Sequence, residues 1–165
     1  MKKIFFLLFF FSYTLANAQK AKDSTMPVYL KDPNIPSFTI LLTDSTSFTK
    51  GDLPKNKTVV LIYFSPDCSH CQYEAKQIVQ YMDSFKNVFF VWVSYHPINE
   101  IKEFFIKYGL DKFKNVKVGR DTKYFIPTYY KVENTPFIAV YNRQGVFSKE
   151  FREGAKAEEL IQVIR

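Results

Sequence analysis

Only two cysteines occur in the 165 residues, so no framework of several disulfides can hold this chain together. The N-terminal apolar stretch, residues 4–15, falls short of the roughly twenty residues a membrane-spanning helix needs. No cysteine stands directly after that stretch, where a lipid anchor would need its attachment residue. A one-faced basic stripe is missing too. The chain carries 23 basic and 16 acidic side chains, but its lysines alternate with acids, as in Lys102-Glu103 and Lys149-Glu150. That pattern reads as a solvated basic surface and excludes a nucleic-acid partner. No internal repeat is visible.

What the N-terminus does have is the three-part pattern of a secretory signal. Lys2 and Lys3 precede the apolar stretch, and Ala16-Asn17-Ala18 supplies small residues at alternate positions. Cleavage after Ala18 is expected, so residues 1–18 are set aside as a signal peptide; uncleaved, this segment would be the only membrane contact. Residues 19–36, polar and punctuated by Pro27, Pro33 and Pro36, read as an extended leader. Residues 37–165 are long enough for one domain with a sizeable core.

Within that domain, residues 38–42 and 47–48 flank a turn-rich spacer and predict a short hairpin. Residues 59–64 are apolar on both faces, the mark of a central strand covered by helices. A helical stripe follows over residues 72–85 through Ala75, Ile78, Val79, Met82 and Phe85. Residues 88–93 repeat the buried-strand signature, and Ile101, Phe104, Phe105 and Tyr108 space a helix ending at Gly109. A short strand at 116–118 leads into a linker. Residues 136–141 and 146–151 then straddle Asn142-Arg143-Gln144-Gly145 as a hairpin, and 155–164 close the chain as an amphipathic helix. The order predicts an α/β fold, a central mixed β-sheet flanked by helices with an N-terminal β-hairpin extension.

Both cysteines stand where the first buried strand gives way to a helix, in Cys68-Ser69-His70-Cys71. A bridge across two intervening residues closes too short a loop to act as a structural staple, so redox chemistry is the better reading. Cys68 would sit at the positive end of the helix, which favours its thiolate, and Cys71 would lie a turn inward, protonated by burial. His70, when protonated, would stabilise the Cys68 thiolate, whereas Asp67 would oppose it.

This strand, the Cys-x-x-Cys after it, the Thr135-Pro136 step about sixty-five residues later and the turn at 142–145 together resemble the exported TlpA/ResA-like thiol-disulfide oxidoreductases of the thioredoxin fold. The resemblance covers residues 36–165. It implies a redox-active center in which Cys68 attacks and Cys71 resolves. Ser69 and His70 fill the intervening positions, with Asp67 and Glu74 as further tuning residues. Glu74 matches a glutamate common in that group; an ordinary solvated first-turn glutamate is the other reading. Thr135 and Pro136 correspond to the cis-proline step that pairs with a substrate backbone. The sequence also departs from the pattern: Asp67 stands where a tryptophan is usual, Ile62 where thioredoxin buries an aspartate, and Lys76 where a proline is common.

The expected activity is disulfide exchange with protein thiols and disulfides, as a reductant serving redox homeostasis in the periplasm or cell envelope. An upstream thiol donor or acceptor would complete the cycle, with the protein a monomer needing no cofactor and no metal. Two other readings stay open. One is a peroxiredoxin-like peroxidase, from the faint echo in Ser65-Pro66-Asp67-Cys68. The other is copper binding or delivery through Cys68, Cys71 and His96, against a plain loop histidine before Pro97.

Overall fold

The computed structural model describes residues 26–164; the expected signal peptide and the start of the leader lie outside them. Seven strands form one mixed sheet in the order β2-β1-β5-β4-β3-β6-β7. At its centre run β3 (Thr58–Tyr63) and β4 (Val88–Ser94), paired in parallel, with every residue of both buried. Such strands must be covered on two sides, and they are. Val60, Ile62 and Phe64 face one apolar cluster with α2 (Ser69–Gln80), α3 (Ile98–Lys107) and α5 (Ala157–Ile164). Val59, Leu61 and Tyr63 face a second, built from the N-terminal segment, the first hairpin and α4 (Phe125–Tyr130).

The expected N-terminal hairpin is β1 (Thr39–Leu42) with β2 (Ser47–Thr49). It extends the sheet by pairing with β5 (Val116–Arg120), where a side chain at Gly119 would meet the Leu41 carbonyl at 2.7 Å. Glycine is what lets the two backbones close at that register. At the opposite edge, β6 (Phe137–Tyr141) pairs antiparallel with β3 and with β7 (Phe147–Phe151).

Three expectations need correction. The helix foreseen over 72–85 begins at Ser69 and stops at Gln80, with a separate 3-10 turn at Met82–Phe85, because the chain leaves helical geometry at Tyr81 (ψ 16°). The linker after β5 contains α4, a six-residue helix whose flanking residues Tyr124 and Lys131 both have positive φ. Part of the leader is ordered structure: α1 (Val28–Lys31) buries Tyr29, and Asn34 bridges to Val146. Tyr29 packs on Tyr130 and Phe147 at ring separations of 5.3 and 5.5 Å, and its hydroxyl accepts a 3.0 Å bond from Arg152. Tyr29→Phe keeps the packing and loses that bond. A loss of about 1 kcal/mol in urea unfolding is expected; an unchanged midpoint would show that the N-terminal segment docks through its ring alone.

Candidate active site

The buried β3 ends at Tyr63, and the loop beyond it delivers Cys68 to the N-cap of α2. Helical spacing then places Cys71, Glu74, Ala75 and Ile78 on the face turned to the sheet, all buried. The two cysteines therefore differ in setting although they are one turn apart. Cys68 is partly exposed and Cys71 fully buried, and both are free thiols.

Burial by itself would raise the Cys68 thiol. It is outweighed by donation from the Cys71 and His70 amides, the Thr135 side chain and the Cys71 thiol, so Cys68 titrates below the usual thiol range. Cys71 goes the other way, pushed up to about 12, first by burial and then by its neighbour Cys68; the Ser65 amide, 3.5 Å from Cys71 Sγ, offsets only part of this. The arrangement sets one accessible thiol, eased toward its thiolate, in front of one buried thiol held to its proton.

Across from the pair stands Thr135-Pro136, whose peptide bond is cis. The Cys68 thiol donates to the Thr135 carbonyl at 3.4 Å. Pro136 itself is buried at the head of β6. A further element closes the site from below: Gly154, at φ +86°, passes so near that a Cβ there would come within 2.9 Å of Glu74 Oε2 and 3.1 Å of Pro136 Cγ. Only glycine fits this passage on both counts.

Glu74 is 3% exposed, so it is not a solvated first-turn glutamate. Its Oε2 accepts from the Ala155 amide at 3.0 Å, while its Oε1 has no partner. Burial pushes the carboxyl up to about 7, a rise the Ala155 amide opposes and the Glu159 charge assists. Ser69 and His70 are exposed on the first turn of α2. The His70 amide favours the Cys68 thiolate, and His70 lines a cavity of about 250 Å³ with Tyr73, Glu74 and Lys156. Asp67 is exposed, bonded to the Ser65 hydroxyl, and held below the usual carboxylate range first by that bond.

Sequence reasoning takes Ser65 only as part of the peroxidase echo and passes over Gly154 and Ala155. The last two lie more than eighty residues from the motif they complete, and no local pattern marks them. Cys68, Cys71 and His96 form no metal-binding group; among the described residues, no cluster of three or more His, Cys, Asp or Glu could hold an ion.

Solved structures match this geometry closely enough to compare. The Mycobacterium tuberculosis protein DsbF, in mixed oxidised and reduced forms, is 26% identical with a TM-score of 0.65, over 76% of this chain and 90% of that one. A secreted disulfide oxidoreductase of the same organism, homologous to Escherichia coli DsbE, is 23% identical with a TM-score of 0.64, over 76% and 92%. A thioredoxin-like protein from Aeropyrum pernix covers 89% of this chain and 98% of its own at a TM-score of 0.65 and 13% identity. This is the thioredoxin fold. Structural neighbours of the chain are thiol-disulfide oxidoreductases of that fold, in line with the family its motif resembles. No protein-family model and no curated protein sequence matches the chain.

In the thioredoxin fold the dithiol stands at the end of a central strand, where β3 and β4 present their carboxyl ends to one edge of the sheet. The same edge carries His96, just past β4.

Proposed function

We propose that this protein is an exported thiol-disulfide oxidoreductase that reduces disulfides in protein partners through Cys68 and Cys71. The observation that carries this reading is the split between the two thiols: one lowered and accessible, one buried and raised, facing a cis-proline step. The Cys68 thiolate attacks a substrate disulfide, forming a mixed disulfide and releasing one substrate thiolate. Cys71 then loses its proton and attacks Cys68 Sγ, which closes the Cys68–Cys71 disulfide and frees the second substrate thiol. Two electrons pass to the substrate, so an upstream thiol donor must reduce the protein again. Glu74, one helical turn from Cys71 and titrating near neutrality, is suited to take the resolving proton.

The reducing direction is supported by what surrounds Cys68. Its thiolate is favoured by amides and neutral side-chain donors, and Asp67 precedes it with an opposing charge. A reduced form without strong stabilisation gives up its electrons readily. The partners are protein thiols and disulfides of the periplasm or cell envelope, met by a monomer; the secreted neighbour from Mycobacterium tuberculosis supports the compartment. Among the described residues, no helix is long and apolar enough to cross a membrane.

Equilibration with glutathione redox buffers tests the direction. A potential more negative than about −200 mV is expected, on the thioredoxin side of the known range. A value near that of a strong oxidant, about −120 mV, would overturn the reductant assignment. Absence of insulin-disulfide reduction by the wild-type dithiol would overturn the activity itself.

A further inference from the structure

His96 is absent from the chemistry just described, yet it is bonded into the loop that carries the nucleophile. Ser65 follows the end of β3 and His96 the end of β4; parallel pairing of those strands brings both to one edge. His96 Nε2 lies 2.9 Å from Ser65 Oγ, and Nδ1 lies 2.9 Å from Glu100 Oε2 on α3. The Ser65 hydroxyl also contacts the Asp67 carboxylate, one residue before Cys68. The ring is only 16% exposed, so these contacts dominate its surroundings.

A hydroxyl has one proton to give. If Ser65 gives it to Asp67, the Ser65 oxygen must accept from His96 Nε2–H. The bond to the Glu100 carboxylate requires Nδ1–H. All three bonds exist together only when both ring nitrogens are protonated. Loss of that charge leaves Nε2 an acceptor, and Nε2 and Asp67 then compete for the single Ser65 proton. The order serine, histidine, carboxylate is that of a hydrolytic triad, but here the serine proton is committed to Asp67, leaving no free nucleophile.

We propose that His96 is a positioning residue of the dithiol: through the Ser65 hydroxyl its positive charge ties down and neutralises the Asp67 carboxylate beside Cys68, so the reactivity of Cys68 follows the protonation of His96. The charged and titratable groups around the ring are Asp67 from the β3–α2 loop, Glu100 from α3 and the neighbouring Tyr95, 4.7 Å away. Beyond Tyr95, Arg120 of β5 donates to the Tyr95 carbonyl and Tyr124 packs on its ring. The anions Asp67 and Glu100 are thus the two bridged by the imidazole. This inference rests on Cys68 being the reactive thiol of the proposed function and adds a control on it.

Iodoacetamide alkylation of Cys68 as a function of pH tests it, compared between wild type and His96→Gln, which removes the charge but keeps a polar side chain. Imidazole changes charge between about pH 5 and pH 8. Below that window the variant is expected to react about two- to fivefold more slowly, the span of a single partly exposed charge interaction, and above it the two rates converge. The same substitution made in an Asp67→Asn background is expected to have no effect, since there is no carboxylate left to neutralise. Ser65→Ala breaks the same link and should reproduce the His96→Gln profile; it serves if that variant fails to fold. Superimposable profiles, or an equal effect with and without Asp67, would overturn the proposal. Insulin reduction by the wild type tests the dithiol reading separately, and the alkylation profile stands whatever that result.

Discussion

Cys68→Ser is expected to reduce disulfide exchange at pH 7 to the uncatalysed background, whereas Cys71→Ser should still attack and then accumulate a mixed disulfide on Cys68. The asymmetry follows from ionisation and access together. A thiol pushed up to about 12 is ionised to only about one part in 10⁵ at pH 7. Cys68, lowered from the ordinary value of 9.0, is more than about 1% thiolate at that pH. The ratio is at least about a thousandfold. The higher intrinsic nucleophilicity of a more basic thiolate returns some twenty- to thirtyfold of it, which leaves about thirty- to fiftyfold from ionisation alone. Removing Cys68 takes away one cause of the Cys71 rise, but burial, the largest cause, remains. Burial also denies the remaining sulfur to a protein disulfide, since Cys71 is 0% exposed. Non-reducing electrophoresis after mixing with a disulfide-containing protein would read both outcomes. Exchange surviving in Cys68→Ser, or equal trapping by the two variants, would break the assignment of roles.

How this arrangement could be read beforehand depended on distance along the chain. Residues 59–64 announced a central strand because a strand buried on two faces must be apolar at every position, and the cysteines follow it directly. The contrast in exposure between Cys68 and Cys71 was legible for the same reason, since the cap and first turn of a helix are local. Helix α4 was not. It has six residues, Pro127 inside it and no glycine at either end, and its first turn is supported by Asp121, whose carboxylate accepts from the Ile126 amide five residues on. A cap supplied from so far outside leaves no serine or threonine signature at the boundary. The settings of Glu74 and His96 were hidden by longer separations: the Ala155 amide is 81 residues from Glu74, and Ser65 is 31 from His96. Neither pairing has a period or a spacing that a linear pattern can carry. For His70 it is the main-chain amide that favours the Cys68 thiolate, a contribution that does not depend on the side chain the sequence displays.

Glu74→Gln is expected to make the protein more stable at pH 8 by about 2–3 kcal/mol and less stable at pH 4 by about 1 kcal/mol. The folded carboxyl titrates near 7 against 4.5 for an ordinary glutamate, with burial the main cause. A carboxyl raised on folding holds its proton more tightly in the folded state, so its stabilising share is complete below about pH 4.5. That share is lost as the pH rises through 7, at about 1.4 kcal/mol per unit of difference, or about 3 kcal/mol in all. Glutamine cannot ionise and escapes this loss. It can still accept from the Ala155 amide, but its amide nitrogen must occupy the place of Oε1, where no partner waits; that returns about 1 kcal/mol. Urea unfolding at pH 4, 6 and 8 would show a falling curve for the wild type and a flatter one for the variant. Parallel curves would mean that Glu74 does not carry the buried charge. The same substitution removes the group suited to accept the Cys71 proton, so mixed disulfides should resolve more slowly in the more stable protein. Opposite changes in stability and turnover are what a buried carboxylate kept for chemistry produces, and a purely structural glutamate would move only the first.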